Sequence, residues 1–159
     1  MTGTEDDLAY RAALGAYATG VAVVAARDGA GATHAITVNS FTSVSLRPRL
    51  ILWCLGDESE RYETFAAAAY FGVCVLGADQ RAMAAHCAQS GAEFDESITE
   101  DLAGAPALKG ALTRLACRTT TRQSHGDHLV IVGEVMAFDA RAGAGLLFYR
   151  GEFGSVGAP

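Results

Sequence analysis

The sequence predicts a mainly β fold, a barrel of short strands with a few helices packed against it. Three observations point there. Eighteen glycines and three prolines are spread over 159 residues, which breaks the chain into short elements joined by tight turns. The apolar runs are strand-sized, and several are β-branched. The elements run helix, hairpin, strand, helix, strand, helix, then a group of strands, without the regular alternation that builds a doubly wound sheet. No GxGxxG opens a helix after a strand, so a Rossmann dinucleotide site is not expected. A barrel with packed helices fits better.

Taken in order, Glu5–Tyr17 carries Leu8, Ala9, Ala12, Ala13, Leu14 and Tyr17 at helical spacing, with Thr4 as N-cap and Gly20 just beyond the end. Val21–Ala26 is continuously apolar and reads as a strand; Asp28-Gly29-Ala30-Gly31 is a turn, and Thr33–Val38 returns as the second arm of a hairpin. Arg49–Leu55, preceded by Pro48, is another buried strand. Ser59 is the expected N-cap of a helix through Ala68, with Glu58 and Glu60 at its positive end. Tyr70–Leu76 reads as a strand, and Asp79–Gln89 as a helix capped by Asp79. Ser90–Gly110 reads as irregular, broken at Gly91, Gly104, Pro106 and Gly110. Leu112–Thr121, His128–Ala137 and a short Leu146–Arg150 complete the strands.

Composition narrows the class of function. Half of the residues are hydrophobic and 19% are charged, which supports a buried core in one domain spanning residues 1–159. The formal charge of −6 offers no basic footprint for nucleic acid. The longest apolar runs, Leu50–Leu55 and Phe71–Leu76, are too short to span a membrane, and the acidic start at Met1–Asp7 is unlike a signal peptide. A cytoplasmic location is therefore expected. Cys54, Cys74, Cys87 and Cys117 form no CxxC pair, so neither a zinc site nor a disulfide framework is expected. His34, His86, His125 and His128 show no HExxH pattern, and no GxSxG elbow is present.

Four stretches carry the polar chemistry. Thr37-Val38-Asn39-Ser40-Phe41-Thr42-Ser43-Val44-Ser45 offers main-chain N–H groups and short donors after a strand, suited to a polar ligand; an ordinary Ser/Thr-rich turn would look the same. Cys54-Leu55-Gly56-Asp57-Glu58-Ser59-Glu60-Arg61 joins a strand end to a helix start, where Ser59 and Arg61 suit a phosphate; taken alone, capping and a surface ion pair to a nearby Glu explain them better. Gly126-Asp127-His128 sits at a strand start, where a His faces either a pocket or solvent. Phe148-Tyr149-Arg150-Gly151-Glu152-Phe153 joins aromatics to a cation, or simply packs a barrel edge.

Read together, these stretches resemble the flavin reductase family with the FMN-binding split barrel, whose members are often the small reductase components of two-component monooxygenases. Ala13–Val24 looks like the family's opening helix and first strand, and Thr37–Leu46 like its flavin-binding signature. Gly126-Asp127-His128 with Gly133-Glu134-Val135 matches its late motif, and Leu147-Phe148-Tyr149-Arg150-Gly151 its closing strand. The likeness covers about residues 8–154.

The resemblance implies a Greek-key split β-barrel working as a homodimer. It implies an NAD(P)H:flavin oxidoreductase that reduces FMN or FAD by hydride transfer from NADH or NADPH and supplies a partner monooxygenase. Flavin contacts would come from Thr37, Val38, Asn39, Ser40, Cys54 and Leu55, with Ser59 and Arg61 near the phosphate. His128 matches a position on the nicotinamide side, and Tyr149 and Arg150 match the closing motif. Two departures stand out. The phosphate region reads Ser59-Glu60-Arg61 where many relatives have Ser-x-Thr, and Glu93 stands where many carry a basic residue before the Phe. Two other functions use the same barrel: an oxidoreductase that keeps its flavin and acts on its own substrate, and a non-catalytic flavin- or haem-binding protein.

Overall fold

The computed structural model describes residues 4–89, 91 and 94–157, so Ser90 and Glu93 lie outside the described residues. The chain begins with α1 (Glu5–Leu14), then β1 (Thr19–Gly20), β2 (Ala22–Arg27), β3 (Thr33–Val38), β4 (Thr42–Leu46) and β5 (Arg49–Gly56). After α2 (Tyr62–Ala67) and β6 (Tyr70–Val75), a 3₁₀ turn at Ala78–Gln80 leads into α3 (Arg81–Cys87). A second 3₁₀ turn, Glu96–Ile98, precedes β7 (Thr99–Leu102) and β8 (Ala105–Leu108). The chain closes with β9 (Thr113–His125), β10 (His128–Ala140), β11 (Gly145–Tyr149) and β12 (Glu152–Val156).

Seven strands form one antiparallel sheet in the order β3-β2-β6-β9-β10-β5-β4. Its two edges, β3 and β4, are consecutive in the chain. A flat seven-stranded sheet would hold its edges about 29 Å apart. The link from Val38 to Thr42 can span at most about 14 Å. The sheet must therefore curl until its edges meet, and Asn39–Phe41 crosses the seam. The result is the split barrel that the family resemblance implies. A second sheet, β1-β11-β12, is tied to the barrel where Leu146 donates to Leu76 O (3.0 Å) and Leu76 donates to Val21 O (3.0 Å).

The continuous apolar run of β2 has a simple cause. Ala22, Val24 and Ala26 point into the barrel beside Trp53, Phe65 and Phe71, whereas Val23 and Ala25, with Val21 just before the strand, meet Leu76, Ala84 and Leu108 outside it. A strand covered on both faces has no polar side to alternate with. Gly72 on β6 permits that cover: a Cβ there would lie 2.0 Å from Pro106 O on β8.

Several expected boundaries change. Thr4 caps α1 as expected, accepting from Asp7 N (3.2 Å) while Asp7 accepts from Thr4 N (2.8 Å), but the helix stops at Leu14 in a tight turn. Ser59 does not cap α2. Its hydroxyl accepts from Arg61 N (3.3 Å) in a preceding turn, and the helix runs only from Tyr62 to Ala67. Asp79 likewise stands inside the 3₁₀ turn, behind Gly77, whose N–H donates to Gln80 Oε1 (3.0 Å). The segment expected to be irregular holds the β7–β8 hairpin. It lacks β-branched alternation and contains Pro106, and all four β8 residues are buried against the barrel. The strands β4 and β12 complete hairpins that their local residues do not announce.

Candidate functional site

The seam brings together much of the polar chemistry. Thr37 Oγ1 donates to Ala84 O of α3 (2.7 Å), which anchors the end of β3, and Val38 is buried beside it. Asn39 follows, exposed. Ser40 then makes two bonds to one residue of β5: its hydroxyl accepts from Cys54 N (3.0 Å) and donates to Cys54 O (3.2 Å). This side-chain bridge holds the seam link against β5, the neighbour of the β4 edge, where the main-chain pairing of β4 with β5 has stopped.

Alternation along β5 separates Cys54 from Leu55. Cys54 is half-buried on the face opposite Leu55, and burial raises its thiol pKa. Leu55 is 1% exposed and belongs to the interior core. Any contact from Leu55 to a ligand is therefore through its main chain.

Thr37, Val38 and Asn39 line a hollow of about 190 Å³ together with Val21, Ala88, Phe148 and Phe153. Phe148 and Phe153 face each other across the β11–β12 pair, edge to face at 5.5 Å. A larger hollow of about 540 Å³ lies against α1 and shares Asn39 and Phe148 with the first. Arg11, Tyr17 and Thr19 are in its wall, and the Thr19 hydroxyl is buried without a hydrogen-bond partner among the described residues.

Arg61 stands just past Ala88. Its guanidinium donates to Gln89 O (2.7 Å) and lies within reach of Cys87, where it partly offsets the burial that pushes that thiol to about 11. Ser59 is in the turn beside it rather than at a helix cap. At the other end of the site His128 pairs in register with Gly56, continuing the line from Cys54. His128 Nδ1 and Asp127 Oδ1 are 2.7 Å apart. That bond is the main reason the Asp127 carboxyl lies below its ordinary value of 3.8, and Arg11 adds a smaller electrostatic share.

Tyr149 and Arg150 lie apart from this group. Both are exposed at the β11–β12 turn, with the Arg150 guanidinium 5.4 Å from the Tyr149 ring centre. Arg150 N donates to Gly15 O (3.0 Å), so the pair fastens the turn to the end of α1. Positive φ at Arg150 and Gly151 gives the turn its tight geometry. Val21, Ala88, Phe148 and Phe153 line the hollow but are not among the site residues expected from the sequence. Val21 and Ala88 look like ordinary small apolar residues, whereas Phe148 and Phe153 belong to the aromatic stretch near the C-terminus.

The arrangement suits a flat, largely apolar ring with a polar edge. Val21, Val38, Phe148 and Phe153 offer apolar walls, Thr37 and Asn39 short polar groups, and Arg61 a cation at one end. Comparison with known proteins identifies the family. Residues 14–157 match the family described as flavin reductase like domain. The FMN reductase (NADH) SmoA of Agrobacterium fabrum is 42% identical over 97% of this chain and 88% of its own length. The Streptomyces globisporus NADH:FAD oxidoreductase, solved with NAD and FAD fragments, superposes with a TM-score of 0.87 at 34% identity, covering 100% of this chain and 97% of that one. The styrene monooxygenase flavin reductase of Pseudomonas putida superposes with a TM-score of 0.86 at 29% identity, covering 94% and 99%. A barrel whose seam carries the signature segment, and sequence likeness running through it to β12, make the chain a member of the flavin reductase family.

Proposed function

We propose that this chain catalyses hydride transfer from NAD(P)H to FMN or FAD and delivers the reduced flavin to a partner monooxygenase. The observation that carries the reading is the seam: Thr37, Val38 and Asn39 share one hollow with Phe148 and Phe153, at the place where the barrel is split. The relatives' activities favour NADH as the first donor to try, and both FMN and FAD as acceptors.

When bound, the flavin supplies the ring that accepts the hydride. The chain's residues do the rest. Val21, Val38, Phe148 and Phe153 keep water from the ring, and main-chain N–H groups of residues 38–40 hold its polar edge. Arg61, with Ser59 and the main chain at Cys54 and Leu55, holds the tail. His128, oriented by Asp127, positions the nicotinamide carboxamide. Tyr149 and Arg150 support this site from the turn that fastens β11 to α1. The larger hollow beside Asn39, with Arg11 on its wall, has room for the nucleotide.

A homodimer fits the exposed apolar edge of the sheet. Leu46 is 86% exposed and Phe138 57%, and Arg49, which pairs in register with Leu46, stacks its guanidinium 5.4 Å from the Phe138 ring centre. Four free thiols, Cys54, Cys74, Cys87 and Cys117, fit a reducing cytoplasm.

The test is loss of reduced-nicotinamide absorbance on adding FMN or FAD to the purified chain. Flavin-dependent turnover with release of reduced flavin to a second protein is the expected result. Tight flavin binding without turnover would replace this reading with a carrier, and turnover that needs a separate substrate would replace it with a flavin-retaining oxidoreductase.

A further inference from the structure

We infer that Glu60 weakens the grip of Arg61 on the flavin phosphate and so sets how readily the flavin is released; this rests on the reading of Arg61 as the phosphate residue. The two side chains are neighbours in space as well as in sequence. Glu60 Oε1 lies 3.6 Å from Arg61 Nη2, and the guanidinium side chain is only 11% exposed. The same carboxylate oxygen accepts the N–H of Gly91, while the guanidinium donates to Gln89 O (2.7 Å). Glu60 is thus tied to the main chain on one side and faces the cation on the other.

That tether matters. An exposed acid on a long side chain normally swings away and screens little. Held within a few ångströms of Arg61, the carboxylate meets any phosphate the guanidinium attracts. Arg61 and Glu60 together carry no net charge, so a phosphate arriving there keeps directional hydrogen bonds but loses much of the long-range attraction. Asp57 and Glu58, both exposed in the same turn, add to the negative side. A reductase that passes its flavin on needs such a compromise: enough affinity to orient the ring, too little to retain it.

Riboflavin makes the decisive probe, because it has the ring and ribityl chain of FMN without the phosphate. Dissociation constants of FMN and riboflavin for the wild-type chain, Glu60→Gln and Arg61→Gln are measured by flavin fluorescence at low and high salt. Gln at 60 still accepts from Gly91 N–H, so an unchanged riboflavin affinity certifies the intact site. The expected result is FMN bound on the order of fivefold more tightly by Glu60→Gln at low salt, the gain shrinking as salt rises. Arg61→Gln should weaken FMN alone. If Glu60→Gln shifts FMN and riboflavin equally, or shifts neither while Arg61→Gln still weakens FMN selectively, the role of Glu60 is wrong and the phosphate assignment stands. If Arg61→Gln treats both ligands alike, the phosphate is not at Arg61 and the inference falls with that assignment. The turnover assay judges the reductase reading independently.

Discussion

The interior of the barrel and its seam are built from the same sheet by opposite means. Inside, Trp53, Phe65 and Phe71 are no more than 1% exposed and pack as rings, Trp53 against Phe65 edge to face at 5.5 Å and against Phe71 at 6.0 Å. Around the seam and the rest of the site, order comes from individual directed hydrogen bonds: Thr37 to Ala84, the Ser40–Cys54 pair of bonds, Arg61 to Gln89, His128 to Asp127. The interior is insensitive to the direction of any one contact. The seam depends on direction, which is what a binding surface for a polar-edged ring requires. One residue step separates the two regimes, since the Leu55 side chain packs in the core while the Cys54 main chain bonds Ser40 at the seam.

This contrast can be broken most strongly from the inside. Trp53→Ala should cost about 3–5 kcal/mol of stability, because it removes a large buried ring and leaves a cavity. The denaturant midpoint measures it, and a loss under 1 kcal/mol would mean that the interior is not the stabilising region. Its indole N–H is buried without a hydrogen-bond partner among the described residues, so Trp53→Phe should be much milder.

A seam substitution should do the reverse. Asn39 is exposed, so Asn39→Ala should leave the unfolding midpoint nearly unmoved and weaken flavin binding by about 1–2 kcal/mol. Equal affinity by titration would remove Asn39 from the site. A large fall in stability would blur the division between seam and core.

The smallest effect sharpens the picture at the His128 end. The Asp127 carboxyl is lowered below 3.8 chiefly by its bond to His128. A depressed acid contributes stability above its ordinary pKa and loses it as pH falls through the lowered one, so the pair's contribution should persist at neutral pH and change only in that acidic window. His128→Asn should let the Asp127 midpoint rise toward 3.8, as read by carboxyl NMR titration. An unmoved midpoint would show that the bond does not orient the imidazole.

Much of the fold was legible in local residues. The hairpin of β2 and β3 is announced by its apolar run, turn and return, and the observed β3 spans Thr33–Val38 as read. The α1 cap at Thr4 follows from side-chain chemistry alone. The β7–β8 hairpin was not legible, because Ala105, Pro106, Ala107 and Leu108 become a strand only under the cover of β2 and β6. Ser59 misled for a related reason. A hydroxyl before an apolar run satisfies either a helix N–H or a turn N–H, and here it took the turn.

By itself, then, the sequence determined a β-rich chain with a polar segment at Thr37–Ser40 and a membership signature spread from α1 to β11, since turn chemistry and strand periodicity act over a few residues. Only the tertiary structure decided that Asn39–Phe41 crosses the seam, that Leu55 turns away from it while Phe148 and Ala88 turn toward it, and that Glu60 is lashed to Gly91 beside Arg61. Those outcomes depend on which strands become neighbours when the sheet closes, and closure joins residues too far apart in the chain for any local pattern to encode.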